Sequence, residues 1–239
     1  MKNKQPLYIE FVGITVSGKS TIMKEVTSYF EKKGFRVSNY LIDLNKLNKF
    51  KRLGYISIHV FKNPMIVINL LYLFLIILKL SYNIKNKLGL FFKSLRFYIK
   101  KDLLWTISKR KSDIFLWESE AFLLEDLDIL NKDSIHLKNF FEFFFPNKDA
   151  LVFYFHIDFD NFLNRILSHL QEKMGSQSFE LSKKEKYVFF KSRQKGFNNV
   201  IEIVKKINFI TFFEIDAIKA FQDNVRYIIS IIERKLVKN

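Results

Sequence analysis

Leu7 to Thr21 reads LYIEFVGITVSGKST, and within it Gly13-Ile-Thr-Val-Ser-Gly18-Lys19-Ser20 satisfies G-x-x-x-x-G-K-[ST] at every fixed position. The flanks agree with the pattern. Tyr8 to Val12 is a run of β-formers, and a helical period of apolar residues begins directly after the loop with Ile22 and Val26. A strand, a glycine-bracketed loop and a helix in that order form a cradle for phosphate.

The residue types follow from that task. Gly13 and Gly18 supply unusual backbone angles and let phosphate oxygens approach the main chain. The N–H groups of Thr15, Val16, Ser17 and Thr21 belong to the loop and to the positive end of the helix after it. Lys19 would reach β- and γ-phosphates as a point charge, and the Ser20 hydroxyl would sit on Mg²⁺. The chain has only 7 glycines in 239 residues, so two at this spacing before Lys-Ser are a specific signal.

Working outward, 239 residues suffice for a full core, read as a single domain over 1–239 with a helical insertion over 50–112. Cysteine is absent, which excludes a disulfide framework and a thiolate metal site. The four histidines show no metal-ligand spacing. Met1 to Pro6 runs into the first strand without a signal-peptide pattern, so the expected placement is cytoplasmic. Lys and Arg number 40 against 24 Asp and Glu, a net charge of +16. Such an excess suits phosphates or an anionic membrane surface, although a bias toward Lys, Asn, Ile and Phe also accounts for it. No motif for reading bases accompanies the charge, so specific nucleic-acid binding is not expected.

Phe35 to Ile42 is the expected second strand, ending at Asp43. Ligands of an open α/β sheet sit beyond the carboxyl ends of its strands, where Asp43 could hold an acceptor or cap the next helix. Pro64 to Leu80 is apolar nearly all round, interrupted by Asn69. It is shorter than the roughly 20 apolar residues of a spanning helix, and a buried or interface helix is expected. Lys85 to Lys111 interleaves nine cations with apolar residues and Asp102 alone. It reads as a long helix with a solvated basic face, and 64–111 together would also suit peripheral contact with a membrane.

Asp113 to Glu118 is the expected third strand, with Glu118 at its tip as a metal-orienting carboxylate and Glu120 a weaker candidate. Ala150 to Ile157 is the fourth, apolar enough to be buried on both faces, with His156 packed in the core. A helix over 161–173 carries Arg165, and a second basic segment carries Arg193. Guanidinium groups on such a pair of helices can close over a nucleotide and offset phosphoryl charge. Ile207 to Ile215 is the fifth strand, and a helix over 220–235 closes the chain, with Phe221 turned inward. The alternation of strand and helix gives an α/β fold with a parallel sheet.

On these residues the chain resembles P-loop nucleoside and nucleotide kinases, thymidylate kinase-like proteins in particular. Ile9-Glu-Phe-Val-Gly13 into Gly18-Lys19-Ser20-Thr21 carries the resemblance, with Val152 to Arg165, the basic segment to Arg193 and Phe213-Glu-Ile-Asp216 beside it. The resemblance implies a five-stranded sheet in order 2-3-1-4-5, ATP·Mg²⁺ as phosphoryl donor, a lid arginine on the phosphates, and adenine near the backbone after Asp216. The implied reaction is transfer of the γ-phosphoryl group to a nucleoside or nucleoside monophosphate. The chain departs from thymidylate kinases at Glu118-Ser119-Glu120, where those enzymes carry an Asp-Arg pair. A nucleotide-dependent switch, or a kinase of a non-nucleotide acceptor, whose insertion meets a membrane or a partner protein is the alternative. A homodimer is compatible with either.

Overall fold

The computed structural model describes residues 5–13, 17–39, 58, 62–79, 84–118, 138–139, 142–143, 145, 149–174, 187–188, 191, 194–195, 198 and 201–238. Thr15, Val16, Asp43, Glu120 and Arg193 lie outside them, as does the segment from 175 to 186.

The first strand, β1 (Leu7–Gly13), is buried along its whole length. It pairs in parallel with β3 (Ile114–Glu118) on one side and β4 (Ala150–His156) on the other. Outside these lie β2 (Val37–Asn39) and β5 (Ile210–Asp216), giving five strands in the order β2-β3-β1-β4-β5. The parallel α/β sheet is what the sequence pattern predicts, and the strand order is the one the resemblance implies. On one face, Phe11 packs against Phe153 and Phe155, and Phe213 stacks on Phe153. On the other, Tyr8 meets Trp105 edge-on and stacks on Phe115.

Two helices flank the loop side of the sheet. In α1 (Lys19–Lys32), Ile22, Met23, Val26 and Phe30 turn inward at helical spacing. Gly34, at φ 86°, ends it with the left-handed geometry a side chain would resist. The last helix (Phe221–Lys238, numbered α5 below) lies against α1, where the carboxylate of Glu233 accepts from Tyr29 Oη at 2.9 Å and pairs with Lys33.

The insertion contributes α2 (Pro64–Lys79) and α3 (Ile84–Lys111). Among the described residues no helix is long and apolar enough to cross a membrane. Phe74 and Phe91 join the two helices with ring centroids 5.1 Å apart, and Asn69 Nδ2 donates to Tyr98 Oη at 2.6 Å. The α3 helix is fastened to the sheet by a buried charge. Lys101 Nζ donates to Glu10 Oε2 at 2.7 Å, and Tyr8 Oη donates to the same oxygen at 2.7 Å. The rings of Tyr8, Phe97, Trp117 and Phe145 lie between 5.1 and 5.8 Å from the ammonium. Burial pulls the Lys101 ammonium below its ordinary value, with Glu10 acting the other way. Burial, reinforced by Glu10, pushes the Tyr8 phenol well up.

Several boundaries and placements differ from expectation. The fifth strand starts at Ile210, because Ile207 to Phe209 turn out of a preceding helix, with Ile207 N–H donating to Val204 and Ile210 N–H to Ile207. His156 is exposed rather than packed, since it is the last residue of β4 and stands at the open carboxyl edge. Phe221 is exposed at the start of α5, before the amphipathic stripe of Val225, Ile228, Ile229 and Ile232 enters the core. Lys101, grouped by sequence with the solvated cations of its helix, is 2% exposed.

Two predictions follow from these contacts. Lys101→Met strands the Glu10 carboxylate and lowers unfolding free energy in urea by about 3–5 kcal/mol, and adding Glu10→Gln restores a large part of it. The hydrogen bond from Lys33, then that from Tyr29, holds the Glu233 carboxyl below its usual 4.5. Its contribution is complete above that value and is lost as pH falls through the lower folded-state value. Glu233→Gln therefore flattens part of the acid-side loss of stability in urea titrations between neutral and acid pH.

Candidate functional site

The carboxyl end of β1 delivers Gly13, and Ser17-Gly18 lead into α1. Gly18 caps that helix in the left-handed region at φ 86° and ψ 4°. Gly13 is required for a different reason. A Cβ there would lie 2.9 Å from Ser17 Oγ, 3.0 Å from Phe155 Cβ and 3.1 Å from Phe155 O. One glycine answers a backbone angle and the other a close approach of two strands to the loop.

Lys19, in the first turn of α1, is 5% exposed and folds back over the loop. Its Nζ donates to the Gly13 carbonyl at 2.7 Å and to Ser17 Oγ at 3.3 Å, and stands 3.8 Å from Glu118 Oε1. Ser20 Oγ lies 2.8 Å from Glu118 Oε2 and 3.0 Å from Oε1. The carboxylate is thus shared by the loop lysine and the helix hydroxyl. The parallel register sets this up, because Phe11 of β1 lies opposite Glu118 of β3, two residues short of Gly13. The N-terminal end of a helix, with its positive dipole, and a buried ammonium beside it can receive an anion of several oxygens.

The hydroxyl of Ser20 and the carboxylate of Glu118 are adjacent hard oxygen donors. That set fits Mg²⁺, which takes one or two protein oxygens and fills its remaining positions with phosphate oxygens and water.

Arg165 sits elsewhere. It is exposed on α4 (Phe159–Met174), a helix capped by Asp158, whose Oδ1 accepts from Asn161 N–H at 3.0 Å. Its Nη2 donates to the Ala217 carbonyl at 3.2 Å, which places it at the turn beyond β5. The same turn is pinned from three more sides. Ala217 N–H donates to the His156 carbonyl at 2.8 Å, Asn224 Nδ2 to the Asp216 carbonyl at 2.8 Å, and Ile218 N–H to Asp216 Oδ1 at 3.0 Å. Of the residues singled out by sequence, Gly13, Ser17, Gly18, Lys19, Ser20 and Glu118 come together, with Thr21 exposed in the first turn of α1. Sequence reasoning missed Asn224, whose signal was an asparagine in the first turn of the last helix.

The two glycines respond differently to substitution. Gly18→Ala meets nothing within 4 Å and costs only the left-handed backbone, about 1–2 kcal/mol in a thermal melt. Gly13→Ala forces Phe155 or Ser17 aside, adding about 1–3 kcal/mol of overpacking and displacing the carbonyl that holds Lys19. Equal losses for the two would contradict this division.

No protein-family model matches the chain, and no curated protein matches it. Among solved structures it is similar to deoxyadenosine kinase from M. mycoides with bound dATP, at 17% identity and a TM-score of 0.45, over 95% of this chain and 100% of that one.

Proposed function

We propose that the chain is an ATP-dependent phosphotransferase that carries the γ-phosphoryl group to a small acceptor. The observation that supports this best is the meeting of Lys19, Ser20 and Glu118 at the carboxyl edge of a parallel sheet, directly after a glycine-bracketed loop. In this reading the N–H groups of residues 14–20 and Lys19 bind the β- and γ-phosphates. Ser20 and Glu118 hold Mg²⁺, which when bound neutralises charge on the transferring group. In binding the nucleotide, Lys19 exchanges its bonds to the Gly13 carbonyl and Ser17 Oγ for phosphate oxygens. The turn over 216–218, held by Arg165 and Asn224, receives the base. Asp43, beyond the second strand, orients the acceptor, and Arg193 offsets transition-state charge.

The acceptor proposed is a nucleoside or nucleoside monophosphate, on the resemblance to P-loop nucleotide kinases. Labelled ATP offered with nucleosides, nucleoside monophosphates, sugars and polyprenols tests this directly. Transfer to one nucleoside or nucleotide class is expected, reduced about a hundredfold or more by Lys19→Ala. Transfer to a sugar or polyprenol alone would overturn the acceptor. ATP binding without transfer to any of them would overturn the kinase and leave a nucleotide-dependent switch.

A further inference from the structure

The α2 helix is apolar on two opposite faces, and only one of them is covered by the protein. Ile66, Leu73, Ile76 and Ile77 are buried. Met65, Ile68, Leu71, Leu75 and Leu78 recur at three- and four-residue steps on the other side, each between 41% and 60% exposed. Asn69, the one polar residue among them in sequence, is spent on the packed side, where it bonds Tyr98. The outer row is therefore apolar without interruption for the length of the helix. A row of large aliphatic side chains left in water marks an interaction surface.

Charge identifies what covers it. Between Asp43 and Asp102 the chain holds 12 Lys and Arg and not one Asp or Glu. Lys62 and Lys79 are exposed at either end of α2, and Lys93 is exposed on α3 beside Phe92. Leu88 and Phe92, one turn apart, add further exposed apolar area to α3. An isologous contact with a second copy would set this cation-bordered face against itself, and no described residue from Lys62 to Lys101 is a carboxylate that could answer the lysines. A bilayer bearing anionic lipid answers both features at once. Its acyl layer receives the aliphatic row, and its phosphate headgroups receive lysines that reach outward from the ends of the helix.

We infer that the outer face of α2, with its bordering lysines, is a docking surface for an anionic membrane, on which the helix lies in the plane of the headgroups without crossing. None of these residues takes part in the Lys19, Ser20 and Glu118 cluster.

Flotation of the full chain with phosphatidylcholine vesicles, with and without phosphatidylglycerol, tests this. The chain is expected to float with the anionic vesicles and to be released by added salt. Ile68→Ser, Leu71→Ser and Leu75→Ser together should reduce the partition about tenfold or more. Lys62→Glu with Lys79→Glu, which leaves the aliphatic row intact, should reduce it to a similar degree. Absence of binding to either vesicle, or binding that neither variant changes, would overturn the inference. So would a dimer by light scattering that the triple serine variant dissolves without any vesicle binding, which would give the face to a second copy.

Discussion

Everything at the functional edge depends on the parallel pairing of β1 with β3. Phe11 opposite Glu118 is a register, and a parallel register ends its strands on the same side. A slip of one residue would turn Glu118 to the other face of the sheet and leave Lys19 and Ser20 without their carboxylate. The register is fixed by the core on both faces, because β1 is buried from Leu7 to Gly13 and has no polar face to slide on. The aromatic stacks of Tyr8 with Phe115 and Phe11 with Phe153 hold the same alignment on the two sides. Packing in the middle of the sheet thereby sets distances at its rim.

One charge sits within that packing. Glu10 is 3% exposed in the central strand, and it is tolerable there because Lys101 and Tyr8 both donate to one of its oxygens. The cation that answers it is brought in by the insertion. Thus α3 is an integral layer of the domain, and α2 rides on it through the Phe74–Phe91 contact and the Asn69–Tyr98 hydrogen bond. A helix so anchored can present its outer face as a rigid surface.

The loop and its chemistry were legible because local spacing encodes them. Gly13, Gly18, Lys19 and Ser20 must stand at fixed separations for any phosphate to fit, and Glu118 was found by its place at a strand tip. A parallel sheet was legible from the alternation of strand and helix and from the apolar runs, and its order only through the resemblance to P-loop kinases. What escaped were pairings between distant residues. Lys101 shares the inner stripe of α3 with Phe97, Leu104 and Trp105, yet a cation there reads as solvated, and only Glu10, 91 residues earlier, makes its burial tolerable. His156 ends an apolar run and so looks like core, yet the strand stops with it, and the last residue of a strand faces the open edge. The partner that Arg165 has, the Ala217 carbonyl, is set by where α4 crosses the turn after β5, a tertiary fact that its residue type does not encode.

The central claim is that Ser20 and Glu118 act on one magnesium-bound nucleotide as a unit. Calorimetric titration of ATP, with and without Mg²⁺, into the wild type, Ser20→Ala, Glu118→Gln and the double variant tests it most directly. The account predicts that Mg²⁺ tightens ATP binding to the wild type. Each single substitution should remove most of that gain, leaving the double variant little worse than either. Independent, additive losses, or a magnesium effect that survives both substitutions, would contradict it.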